Sequence, residues 1–215
     1  MIVLKATAAL LVIDMQLDFL PGGALAVQEG DKIVPALNSL AQRFDHVLLT
    51  QDWHPANHAS FASSHRGATP YDTVNAPYGN QTLWPDHCVQ NTPGAEFHPD
   101  LDPGLVLART ELILRKGFRR EIDSYSAFLE NDKQTPTGLA GYLRERGFER
   151  LFLAGLAYDF CVRFSALDAV AAGFEAFVID DACRPVHLPG SLAATEEEFA
   201  RAGVSRISIA EVLAG

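Results

Sequence analysis

The chain has 215 residues, of which 48% are hydrophobic and 20% charged, the balance of a water-soluble globular protein with one domain over 1–215. Its formal charge is −10, from 27 acidic against 17 basic side chains, which argues against nucleic acid or an anionic membrane as partner because both need clustered Lys and Arg. No apolar run approaches the roughly 20 residues of a membrane helix, and Asp14, Gln16 and Asp18 interrupt the opening apolar segment before it could read as a signal peptide.

Apolar runs and helical periods alternate along the chain. Residues 9–13 (ALLVI) predict a strand buried on both faces, ending at Asp14. Residues 31–44 predict a helix, with Ile33, Val34, Leu37, Leu40 and Ala41 at helical spacing and Asp31 placed to cap it. A second strand, 46–50, runs out at Asp52. From 53 to about 103 the chain is polar and rich in Pro, Gly, Asn, His and aromatics, without sustained periodicity; so long a loop region is usually functional. A strand at 112–115 ends at Lys116, a helix at 137–146 is closed by Gly147, and a strand at 150–154 stops at Gly155. A helix over 160–172, a strand over 175–179, a capped helix over 191–202 and a last short strand at 206–209 complete the chain. Repeated strand–helix–strand units predict an α/β fold in three layers, αβα, with a mostly parallel sheet.

In such sheets ligands collect at the carboxyl ends of the strands. Asp14, Asp52 and Lys116 all fall at strand ends, and Cys161 begins the helix after the 150–154 strand. A polar residue often merely terminates a strand, so the coincidence of four is the informative feature.

The cysteines Cys88, Cys161 and Cys183 are too few, and odd in number, for a disulfide scaffold, which predicts a reducing cytoplasm. A cytosolic cysteine is most often a small buried apolar residue, and Cys88 and Cys183 keep that reading. Cys161 follows a glycine-led turn and enters a helix, where the helix N-terminus favours a thiolate. A thiol attacking an amide needs a base and a proton donor for the leaving amine. Asp14 is the better-placed carboxylate. Lys116, one of four lysines, could hold Asp14 and the thiolate in their charged forms.

Asp52, His54 and His58 lie within seven residues, and His87 follows in Trp84-Pro-Asp-His87. This set of oxygen and nitrogen donors suits one divalent ion, with zinc first and iron(II) or manganese as alternatives. His46, His65, His98 and His187 read as ordinary hydrogen-bonding or surface residues.

Several segments, taken together and in order from about residue 9 to 190, resemble the nicotinamidase branch of the isochorismatase-like cysteine hydrolases. They are Asp14-Met-Gln-Leu-Asp-Phe19, Gln51-Asp-Trp-His54-Pro with His58, Leu83-Trp-Pro-Asp-His87-Cys-Val, Gly94-Ala-Glu-Phe-His98-Pro, Lys116-Gly with Asp123-Ser-Tyr125-Ser-Ala-Phe128, and Gly155-Leu-Ala-Tyr-Asp-Phe-Cys161-Val. The resemblance implies a three-layer parallel fold and a cis peptide between Leu156 and Ala157. It implies an oxyanion site made by the N–H groups of Ala157 and Cys161. Asp52, His54 and His87 would ligate the metal, with His58 a fourth ligand in some members. Phe19, Trp84 and Tyr125 would wall the pocket, with Tyr158 and Phe160 also touching substrate; Phe160 departs from relatives that carry a polar residue there. The implied activity is hydrolysis of nicotinamide to nicotinate and ammonia through a cysteine thioester, in NAD salvage, with pyrazinamide as a second substrate and a monomer or small homo-oligomer as the enzyme.

The rivals are an amidase of the same group acting on another small amide, and a non-catalytic nucleotide- or metal-binding α/β module. The nucleotide reading lacks a Gly-rich phosphate loop after the first strand, and the metal-module reading leaves Asp14, Lys116 and Cys161 unexplained.

Overall fold

The computed structural model describes residues 4, 6–101 and 109–214. Six strands form one sheet: β1 (Ala8–Ile13), β2 (Val47–Asp52), β5 (Thr110–Lys116), β6 (Arg150–Leu156), β7 (Glu175–Arg184) and β8 (Ser205–Ile207). Their order is β5-β2-β1-β6-β7-β8 and every neighbouring pair is parallel. The order reverses direction at β1, so the crevice beside its carboxyl end is where a ligand belongs.

Strand periodicity sorts the core into two faces. Leu10 and Val12 of β1 pack with Leu37 and Leu40 of α1 (Val34–Ala41) and Val212 of α5 (Ile209–Leu213). Ala9, Leu11 and Ile13 pack with Leu139 and Leu143 of α2 (Leu139–Glu145), Ala166 and Ala169 of α3 (Arg163–Ala171), and Phe199 of α4 (Ser191–Ala202). With all six residues of β1 buried, both faces are covered, and the predicted three-layer α/β architecture is the observed one.

Several boundaries differ from expectation for local reasons. The first helix begins as a 3-10 turn, Gly30–Ile33, that contains Asp31, and no side chain caps either segment. Strand β5 lies at the sheet edge and alternates half-buried with exposed residues, so it extends past its apolar centre. Strand β7 continues through Asp180 and Asp181 because, after a register shift, Cys183 and Arg184 pair with Gly155 and Leu156. Ser191 opens α4 as predicted, but its N-cap is Gly190 and makes no side-chain cap bond. The long polar region is less irregular than its composition suggests. It contains an antiparallel hairpin, β3 (Thr73–Ala76) with β4 (Gly79–Thr82), and short 3-10 turns at Ala62–Ser64 and Pro93–Ala95. Residues 102–103 at its end lie outside the described residues. Among the described residues no helix is long and apolar enough to cross a membrane.

Candidate active site and metal centre

The parallel register brings the site together. Asp52 and Lys116 end β2 and β5 as direct partners, and Asp14 follows Ile13, the partner of Gly155 in β6. Gly155 has φ +122°, and a Cβ there would stand 2.2 Å from the Ile13 carbonyl oxygen, so only glycine lets β6 approach β1 this closely. Beyond it the Leu156–Ala157 peptide is cis, as the resemblance implied. Cys161 lies in a π-helical turn, Tyr158–Val162, that precedes α3; the expected first helical turn is thus a wider one.

Asp14, Lys116 and Cys161 meet in the interior. The Lys116 ammonium is 1% exposed and reaches Asp14 Oδ2 at 2.8 Å, Asp52 Oδ1 at 2.9 Å, the Ser124 carbonyl at 3.0 Å and Cys161 Sγ at 3.4 Å. Thr50 donates to Asp14 Oδ1 at 2.6 Å and fixes the other carboxylate oxygen. Gln16 locks the ends of β1 and β2 together: its amide donates to the Asp52 and Ala95 carbonyls (2.8 and 2.9 Å) and accepts from the Asp52 N–H (2.7 Å).

The electrostatics refine the expected roles. Burial pushes the Cys161 thiol well above its ordinary value; Lys116 pulls it back, but Asp14 and Asp52 add to the rise. Burial also raises Asp14, against the pull of Lys116. Burial is the first cause of both shifts, and the directions agree with a thiol that needs Asp14 as its base, the arrangement expected for thiol attack on an amide. For Lys116, burial works against the charge, but Asp14, Asp52 and Cys161 outweigh it and hold the ammonium protonated.

Asp52 turns its second oxygen the other way. Its Oδ2 lies 3.3 Å from His54 Nε2 and 3.6 Å from His87 Nε2, and the donor atoms of the three residues all fall within 4.8 Å of one another. His54 Nδ1 donates to the Gly117 carbonyl (2.9 Å) and His87 Nδ1 to the Pro85 carbonyl (2.7 Å). Each Nδ1 therefore carries a proton, and each Nε2 is turned toward Asp52, the arrangement of metal-ligating imidazoles with their outer hydrogen bonds in place. Burial opposes the Asp52 charge, but Lys116 and His54 overcome it and hold the carboxyl well below its usual range. One carboxylate and two imidazoles, all buried, fit a divalent ion that keeps further positions open.

His58 does not join this set. Its Nε2 donates to the Arg119 carbonyl (2.8 Å) and its Nδ1 accepts from the Ser60 N–H (3.2 Å) and hydroxyl (2.7 Å), so both ring nitrogens are engaged by the protein. It groups with His54 and Asp123 instead.

A small cavity opens over Cys161 and Asp52. Phe19, Trp84, Tyr125 and Phe160 line it as expected, together with Leu25, Ala157 and Val186. Trp84 meets Phe160 edge to face, ring centroids 4.9 Å apart, so the two rings form one continuous aromatic wall. Tyr158 is a correction. Its ring packs on Phe199 (5.8 Å) in the core face away from the cavity, because the π turn that points Cys161 inward sends Tyr158 toward α4.

Sequence reasoning passed over Asp123 and Asp159. Asp123 lines the cavity with Oδ1 4.0 Å from His54 Nε2; its place in Asp123-Ser-Tyr125 was the available signal. Asp159, fully buried, accepts from the N–H groups of Val186 and His187 and from the Ser191 hydroxyl, and so ties the Val186 wall to the turn that carries Cys161.

Comparison with known proteins agrees with this geometry. The nicotinamidase of Acinetobacter baylyi is 53% identical over 205 residues, spanning 95% of this chain and 94% of that protein. A solved nicotinamidase/pyrazinamidase from Acinetobacter baumanii superposes with a TM-score of 0.94 at 50% identity, covering 97% of this chain and 99% of that one. A solved pyrazinamidase of Pyrococcus horikoshii in complex with zinc superposes with a TM-score of 0.74 at 37% identity, over 94% and 99% of the two chains. The family model described as the isochorismatase domain matches residues 8–208, and the chain belongs to that family.

Proposed function

We infer that this chain hydrolyses nicotinamide to nicotinate and ammonia. The observation that carries the reading is the meeting of Asp14 and Lys116 with Cys161, which lines a small aromatic cavity together with Asp52 and His87 of the Asp52, His54 and His87 donor set. Relatives of matching length that carry the nicotinamidase name support the choice of amide.

In this reading the flat ring lies against the aromatic wall that Trp84 and Phe160 share, with its carboxamide against Cys161. Asp14 removes the thiol proton and the sulfur attacks the carbonyl carbon. The N–H groups of Ala157 and Cys161 receive the oxyanion. Asp14 returns the proton to the leaving nitrogen as the C–N bond breaks, which releases ammonia and leaves a thioester. Asp14 then takes a proton from water as the water attacks the thioester. The C–S bond breaks, the proton on Asp14 returns to sulfur, and the acid leaves as nicotinate with its own proton released to solvent. Lys116 keeps the cluster charge-balanced throughout, since each proton shift exchanges one anion for another beside the same ammonium.

A divalent ion held by Asp52, His54 and His87 supplies Lewis acidity beside the bound ring; zinc is the proposed ion, supported by the zinc-bound relative. All residues given a role come from one chain. The three cysteines are free and buried, which is in keeping with a reducing cytoplasm.

The test is Cys161→Ala in the metal-loaded protein. Ammonia release from nicotinamide should vanish while metal content stays at the wild-type level; turnover near wild type would sink the assignment.

A further inference from the structure

The β3–β4 hairpin sends one side chain into the interior. Its strand residues are exposed or half-buried except Gln81, which is 1% exposed. A polar amide this deep must be matched at every atom, and Gln81 is. Its Nε2, with two hydrogens, lies within donating range of the Thr82 carbonyl (2.7 Å), Tyr125 Oη (2.9 Å) and Asp123 Oδ2 (3.0 Å), and its Oε1 accepts from Asn131 Nδ2 (3.1 Å) and Tyr78 Oη (3.2 Å). The amide cannot be turned over, because its oxygen would then face a carbonyl and a carboxylate, both acceptors only.

Two of these partners, Asp123 and Tyr125, line the cavity that contains Cys161, whereas Gln81 does not reach it. Trp84 Nε1 also donates to Tyr125 Oη (3.1 Å), so one phenol oxygen joins the hairpin, through Gln81, to the aromatic wall. Asp14, Lys116 and Cys161 are held by β1, β5 and the turn after β6, and Gln81 is bonded to none of them; Lys116 meets the segment between Asp123 and Tyr125 at the Ser124 carbonyl.

We propose that Gln81 is a positioning residue: from the hairpin it fixes Tyr125 and Asp123 in the cavity wall and thereby sets how tightly the substrate ring is gripped. The substrate named here rests on the nicotinamide reading above. A residue that acts only on the wall holds ground state and transition state alike, so its loss raises KM and spares kcat.

The experiment compares wild type, Gln81→Leu, Gln81→Glu, Tyr125→Phe and the Gln81→Leu/Tyr125→Phe pair, all metal-loaded. Gln81→Leu should raise KM for nicotinamide about tenfold, the scale of losing hydrogen bonds to a buried carboxylate and phenol, with kcat within about twofold. Gln81→Glu, which keeps the size but sets a carboxylate against Asp123, should raise KM at least as far and stands in if Gln81→Leu does not fold. The double variant should add little to the larger single effect, because Gln81 acts through Tyr125. Unchanged KM in a folded variant, a loss confined to kcat, or full additivity would overturn the proposal. Hydrogen exchange of the Trp84 indole N–H reads the same strut without substrate and should quicken in Gln81→Leu; no change there overturns the strut. Absence of ammonia release by wild type would instead retire the nicotinamide reading alone.

Discussion

Replacing Lys116 with methionine tests the core of the site, because the two side chains are similar in length and only the charge is lost. The ammonium lies 2.8 and 2.9 Å from Asp14 and Asp52, both buried, and takes a third bond to the Ser124 carbonyl. Removing it strips Asp14 of its counter-charge and leaves it facing the Asp52 carboxylate. Breaking a buried ion pair by deleting one partner costs about 3–5 kcal/mol. For a chain of this size that is a fall in Tm of about 10 °C. One carboxylate escapes the cost by taking up a proton, and Asp14 is that one, since burial already raises it and Lys116 was the main influence opposing the rise. A protonated Asp14 cannot accept the thiol proton, and the Cys161 thiol loses the charge that lowered it. Rate should fall by about 10²–10⁴-fold, the range of acid–base catalysis. Ammonia release under saturating nicotinamide and thermal unfolding of the metal-loaded protein measure the two effects. Wild-type kcat, or a Tm within about 2 °C of wild type, would refute the claim that this ammonium neutralises a shared anionic cluster.

Other outcomes follow from single contacts. Chelation should remove the ion and most of the activity together, with His87→Ala lowering metal affinity by roughly 10-fold or more. His58→Ala should leave metal content unchanged in elemental analysis while lowering stability by about 1–3 kcal/mol in urea titration, because its ring nitrogens bond Ser60 and the carbonyls of Arg119 and Ile122. Gly117→Ala should both destabilise the fold and weaken metal binding: φ is +68°, and the new Cβ would stand 2.5 Å from His54 Cε1. Pyrazinamide, a ring of the same size and flatness, should release ammonia at a rate within about tenfold of nicotinamide, since the cavity distinguishes by shape against its aromatic wall and one ring atom changes little there.

The strands were legible because each is an apolar run closed by a polar residue, and those closing residues were already the site. Asp14, Asp52 and Lys116 announce themselves in that way, and parallel pairing converts their positions into contact. What stayed hidden depends on partners that only the fold supplies. The hairpin at 73–82 carries no apolar alternation, since it buries one glutamine and leaves its other strand residues exposed or half-buried. Tyr158 and Phe160 flank the nucleophile alike in sequence, yet a π turn aims one at the core and the other at the cavity. His58 matches a ligand by spacing, but the carbonyl of Arg119, remote in sequence, decides its tautomer. The direction of the Cys161 shift depends on burial, which no motif encodes.

Asp52 shows why some experiments on this site will be hard to interpret. One of its oxygens faces Lys116 and the other faces the two imidazoles, so a single carboxylate is common to both halves of the site. An inactive Asp52 variant therefore says nothing about which half failed. Asp14 and His87, each confined to its own side, are the residues whose loss can tell proton transfer from metal binding.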